Sequence, residues 1–132
     1  MNGSDKLFEL RIKLEPDGDY RAVSGELNDY LERGRARFAW IQLERANGAI
    51  AALVHRPVGW LQFYQDDYAS SFHSVNPEYG GPEDTFTDYL LDNGQVDVYP
   101  QSWDHPLEMV VRALEHFMGT GERAPFIVWE VD

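Results

Sequence analysis

The chain contains no cysteine, which removes disulfide frameworks, thiolate metal sites and thiol nucleophiles together and agrees with a reducing cytoplasm. No stretch approaches the roughly 18 consecutive apolar residues that a membrane-spanning helix needs. The opening MNGSDKLFEL lacks the basic and apolar regions of a secretory leader. Positive charge is scarce where it would be needed to hold nucleic acid or an anionic membrane. Residues 66–132 carry 14 Asp and Glu against only Arg112 and Arg123, while residues 1–65 balance 9 acids with 9 bases. The 132 residues match one domain, for which the usual length is roughly 100–200 residues, and they suffice to bury a core without covalent staples. These features predict a soluble, cytoplasmic, single-domain protein spanning residues 1–132.

What the chain does have is a split charge. Its net charge of −12 resides in the second half, and a field of that size repels nucleic acid and attracts a basic partner surface at a salt-sensitive rate. Solubility alone is the plainer account of such acidity.

Apolar and polar residues alternate from Leu7 to Leu14, through Phe8, Leu10 and Ile12, which predicts a strand with one buried face. Asp17-Gly18 turns the chain. Ser24 is placed to cap a short helix bearing Leu27, Tyr30 and Leu31, and Gly34 to end it. Residues 37–43 and 49–55 flank Asn47-Gly48 and read as a hairpin. After Arg56-Pro57 a third strand begins at Gly59-Trp60-Leu61-Gln62-Phe63-Tyr64, giving a meander. Residues 65–84 form a long loop-rich passage around a short strand at residues 71–75, and a loop of that length in a small domain is often functional.

Residues 85–91 and 95–99 flank Asn93-Gly94 as a second hairpin. Ser102, Asp104 and Pro106 supply capping and first-turn chemistry for a helix whose stripe is Leu107, Val110, Val111, Leu114, Phe117 and Met118. Gly119 or Gly121 ends that helix. The final run Phe126-Ile127-Val128-Trp129 has bulky apolar residues on both faces, which predicts a strand interior to the sheet. The expected fold is α+β: a mostly antiparallel β-sheet with two helices packed on one face.

Enzyme signatures are missing. His55, His73, His105 and His116 never fall at i, i+4, and no HExxH, GxSxG or P-loop pattern occurs. No catalytic activity, cofactor or metal is expected. Two acidic pairs, Asp66-Asp67 and Glu83-Asp84, lack the spacing of a calcium loop, and solvated loop acids are the simplest account of each. Both nevertheless flank one aromatic-bearing loop, with Tyr68, Phe72, Tyr79 and Phe86 interleaved among acids. That is the composition of a protein interface, aromatic anchors within a polar rim. Trp103, between a strand end and the second helix, reads as a structural staple. Two other classes remain open. One is a ligand- or metal-binding domain or enzyme using Asp66, Asp67 and His73 beneath the 65–84 loop; the other is an adaptor for a housekeeping basic protein.

The order of residues is more specific than their types. The segment NGQVDVYPQSWDHPLEMVVRALEHFMGTGERAPFIVWE, Asn93 to Glu130, resembles the first-numbered family of immunity proteins from bacterial polymorphic toxin systems. The resemblance extends upstream through SVNPEYGGPED (Ser74 to Asp84) and GWLQFY (Gly59 to Tyr64), so that from 59 to 130 it spans somewhat more than half the chain. Its distinctive pieces are the NGQ hairpin, the YPxSW approach to the helix and the RALEHF…TGERxPFIxW ending. It implies an antitoxin that binds and inhibits a cognate toxin domain, a nucleic-acid deaminase or nuclease, through an acidic surface. Toxins acting on nucleic acid carry basic clefts, and an acidic protein can occupy one with carboxylates where phosphates would sit. Asp66, Asp67, Glu78, Tyr79, Glu83 and Asp84 are the expected partner-binding residues.

Overall fold

A computed structural model describes residues 7–46, 48–65 and 68–132. The main sheet runs β1 (Leu7–Lys13), β2 (Phe38–Arg45), β3 (Gly48–His55), β4 (Val58–Gln65), β5 (Ser70–Val75) and, at the far edge, β9 (Val128–Val131). A short strand β8 (His105–Pro106) pairs with the start of β4. Strands β2 to β5 form the expected antiparallel meander. β1 differs: it pairs with β2 in parallel, Leu7 opposite Phe38 and Lys13 opposite Glu44. A parallel neighbour needs a crossover, which is supplied by helix α1 (Arg21–Leu27) and the single π turn that continues it (Asn28–Glu32).

One face of the sheet carries both helices, as the α+β reading requires. Ala39, Ile41 and Leu43 of β2, Ile50, Ala52 and Val54 of β3, and Leu61 and Phe63 of β4 form a single cluster there. They pack against Leu27 and Leu31 and against Leu107, Val110, Val111, Leu114 and Phe117 of α2 (Leu107–Thr120). The period-2 and period-3.6 apolar patterns thus meet face to face. Gly59 allows the closest approach. A Cβ there would lie 2.8 Å from the Leu53 carbonyl oxygen and 3.3 Å from Val110 Cγ2. Gly59→Ala is therefore expected to cost about 1–3 kcal/mol by overpacking, read as a lower urea midpoint.

Three local expectations are corrected. Ser24 is not the cap of α1: the helix starts at Arg21, Asp19 Oδ1 accepts the Arg21 N–H at 3.1 Å, and the Ser24 hydroxyl instead donates to Glu115 of α2. Ser102 and Asp104 do not cap α2, whose N-cap is Pro106 without a side-chain bond. The last strand is not interior. Residues 124–127 form a turn in which Ala124 and Ile127 are buried, and the strand begins only at Val128, on the sheet edge beside β5. The two-sided apolar character of that run came from a turn closing over the helix and not from a central strand. Gly34 and Gly121 do end their helices, at φ +85° and +75°. Asn47 of the first expected turn lies outside the described residues.

The second hairpin, β6 (Phe86–Leu90) and β7 (Val96–Pro100), does not join the main sheet. It forms a separate two-stranded sheet on the face opposite the helices, over Leu53 and Trp60. Sheet and helices therefore acquire a third layer.

Candidate partner-binding surface

The hairpin is held to the sheet by its inward residues. Tyr89 is fully buried, and its hydroxyl donates to Asp104 Oδ1. Thr87 Oγ1 donates to the other carboxylate oxygen at 2.7 Å. Tyr99 packs on Trp60 at 4.5 Å and on Trp103 at 5.9 Å, and Trp103 stacks on His73 at 4.0 Å. His55 Nδ1 donates to the Asp88 carbonyl at 2.7 Å, and Arg11 pairs with Asp92 at the hairpin tip. The indole nitrogens of Trp40 and Trp60 are buried here with no hydrogen-bond partner among the described residues. Trp103 has the packing role its position suggested.

Asp104 is the buried charge of this layer. Burial raises its pKa above the ordinary carboxylate value, against the lowering effect of the Tyr89 and Thr87 hydrogen bonds. Next to it His105 donates Nε2–H to the Val75 carbonyl at 3.0 Å, and burial lowers its pKa. A carboxyl whose pKa is higher folded than unfolded binds more protons in the native state, so its contribution to stability is full below the unfolded value and declines as pH rises through the folded one. Asp104→Asn cannot ionise. Its stability relative to wild type is therefore expected to improve from pH 4 to pH 7, measured by urea unfolding at each pH.

With Thr87, Tyr89, Asp97 and Tyr99 turned in, the alternate residues face out. Register pairs Phe86 with Pro100, Asp88 with Val98 and Leu90 with Val96, and Phe86, Val96 and Val98 are 54%, 59% and 51% exposed. Unlike scattered surface hydrophobics, these are neighbours on one pleated face, and such patches mark interaction sites. Carboxylates ring them: Glu83 and Asp84 before β6, Asp88 within it and Asp92 at the tip, all exposed. From Pro57 to Val111 the sequence has no Lys or Arg.

The expected partner-binding residues fall into three groups. Asp66 and Asp67 lie outside the described residues. Glu78, Glu83 and Asp84 are exposed in the β5–β6 loop. Tyr79 is half-buried and turned into that loop, its hydroxyl donating to the Pro82 carbonyl at 2.7 Å and lying 3.1 Å from Gln101 Oε1. Gly81 lets the loop close over the ring, since a Cβ there would sit 2.5 Å from the Tyr79 oxygen. Glu83 and Asp84 border the hairpin face; Tyr79 serves the loop. Val96 and Val98 were missed: their alternation with Asp97 and Tyr99 puts them on one face of a strand but does not say which face meets solvent.

Compared with protein-family models and with curated proteins, the chain matches none. Among the described residues no group of three His, Asp or Glu could hold a metal ion, and no helix is long and apolar enough to cross a membrane. The arrangement has the anatomy of an interface, an apolar centre with a mainly acidic rim in which Arg11 pairs with Asp92.

Proposed function

We propose that this protein is an inhibitor that works by binding another protein, in the manner of the immunity proteins its 59–64, 74–84 and 93–130 segments resemble, and that its partner is a toxin domain with a basic surface. The observation that carries the reading is the outer face of the β6–β7 hairpin, where three exposed apolar side chains lie within a ring of carboxylates. The apolar residues supply contact energy on desolvation. The carboxylates steer a basic surface and select against acidic partners. A toxin that handles nucleic acid, a deaminase or nuclease, has the positive cleft such a surface fits.

The test is capture with tagged protein at low salt, purification of the captured partner, and assay of that partner's activity with and without this protein. A stoichiometric complex whose affinity falls steeply with salt, and whose formation abolishes the partner's activity, is the expected result. A partner that stays fully active in the complex would overturn the inhibitor reading.

A further inference from the structure

Beside the hairpin, part of the same sheet face carries no covering layer among the described residues. Cross-strand pairing places two rows of side chains there. One is Glu44, Ala49, Tyr64, Ser71 and Asp132; the other is Gln42, Ala51, Gln62, His73 and Glu130. Leu53 and Trp60, one step further along β3 and β4, are the residues the hairpin packs on. The uncovered strip and the outer face of the hairpin thus look the same way, as a lower and an upper step.

Tyrosines line the strip. Tyr68 stacks on Tyr64 with ring centroids 4.9 Å apart, and its hydroxyl donates to Glu44 Oε1 at 3.1 Å, so it lies along the first row over Ala49. Tyr68 is 52% exposed and held at φ +71°. On the hairpin side Tyr99 donates to Asp97 Oδ2 at 2.9 Å. Burial raises all three phenols; Asp132 adds to the effect at Tyr64, Glu44 and Tyr64 at Tyr68, and Asp97 and Tyr64 at Tyr99, which is pushed up to about 12. Tyr64, Tyr68 and Glu44 form one group on the strip, and Tyr99 with Asp97 stands at its hairpin border, where Tyr99 packs on Trp60.

Lys13 stands opposite Glu44 at the β1 end of the strip, without closing an ion pair with it. Among the described residues, Glu44, Asp97, Glu130 and Asp132 make no ion pair with Lys or Arg. Their partners are neutral donors or His73: Gln42 and Tyr68 on Glu44, Tyr99 on Asp97, and Gln62 and His73 on Asp132. Arg11, which reaches Gln42 at 3.4 Å, is itself held by Glu9 and Asp92.

We infer that this strip receives an arginine- or lysine-bearing segment of the basic partner, laid across the strands so that one cationic group meets Tyr64 and Tyr68 beside Glu44 and another meets Tyr99 beside Asp97. Aromatic faces and carboxylates together recognise a guanidinium by stacking and by charge-assisted hydrogen bonds. The assignment rests on the proposed function in one respect only, that the segment belongs to the same protein that covers the hairpin.

A hexa-arginine peptide tests it without the partner. Wild-type protein, Glu44→Gln/Asp97→Asn and Glu83→Gln/Asp84→Asn would be titrated with the peptide at low salt and followed by amide chemical shifts. Both double variants remove the same charge, but only the first alters the strip. The expected result is at least tenfold weaker binding for the first and less than threefold for the second, with wild-type shifts centred on residues 42–44, 62–65 and 97–99. Equal losses in the two variants, shifts centred elsewhere, or no binding at low salt would overturn the assignment. Peptide binding at the strip together with an uninhibited partner would leave the strip standing and remove the inhibitor reading; inhibition without peptide binding at the strip would do the reverse.

Discussion

Replacing Val96 and Val98 together by aspartate is expected to weaken binding of the basic partner about 100-fold while leaving the fold in place. Both side chains project from the outer face of the hairpin at 59% and 51% exposure and belong to neither apolar cluster. Their loss therefore removes no core packing, and the expected cost in stability is about 1 kcal/mol, from the poor fit of aspartate to a strand. At an interface centre, two buried valines replaced by charges each forfeit about 1–2 kcal/mol, and each 1.4 kcal/mol is tenfold in affinity. The sign makes the test sharp. The variant is more acidic than the wild type, so long-range attraction to a basic partner increases. A loss of affinity must then come from the apolar contact, and surface plasmon resonance should show it as faster dissociation with association nearly unchanged. Unchanged or tighter binding would place the interface elsewhere.

Tyr89→Ala is expected to have the largest effect on stability, about 4 kcal/mol, and to act first on the hairpin layer. Tyr89 is the fully buried side chain that joins this layer to the main sheet. Truncating a buried aromatic costs about 3–5 kcal/mol through lost contacts and the cavity left behind. The variant also takes one of two hydroxyl donors from the buried carboxylate of Asp104, and weakening the solvation of a buried charge adds to the loss. Because the hairpin is a sheet of its own, it can open without the seven-stranded sheet unfolding, as cooperative sub-units of other folds do. Native-state hydrogen exchange should show residues 86–100 losing protection while β2, β3 and β4 keep theirs. Partner binding should fall with it, since the proposed interface is built on that layer. Uniform loss of protection over the whole chain would mean that the layer is not a separate unit.

Asp104 illustrates where local reasoning stops. Next to a helix start, an aspartate reads as a cap, and nothing within a few residues contradicts that. Its actual partners, Thr87 and Tyr89, arrive from a hairpin more than a dozen residues away. Val96 and Val98 teach the same lesson. VDVYP alternates cleanly, and a local reading would bury the valines. The structure instead buries the tyrosine side, because Tyr89 and Tyr99 find Trp60, Trp103 and Asp104 beneath them. Of the six expected partner residues, Glu83 and Asp84 stand beside the resulting face, and Tyr79 is spent on closing its own loop.

By itself the sequence determined the secondary elements of the meander, both hairpins, the apolar stripe of α2 and the helix-ending glycines, and with them the α+β class. These depend on φ preferences and on apolar periods of two and 3.6 residues, which act over a few positions. It also determined the acidity of the second half. The tertiary structure alone decided that β1 runs parallel to β2, that the second hairpin forms its own layer, that β9 lies at an edge, and which face of the hairpin meets solvent. Each of those depends on which distant surfaces bury one another, and burial is a property of the packed chain that no local window contains.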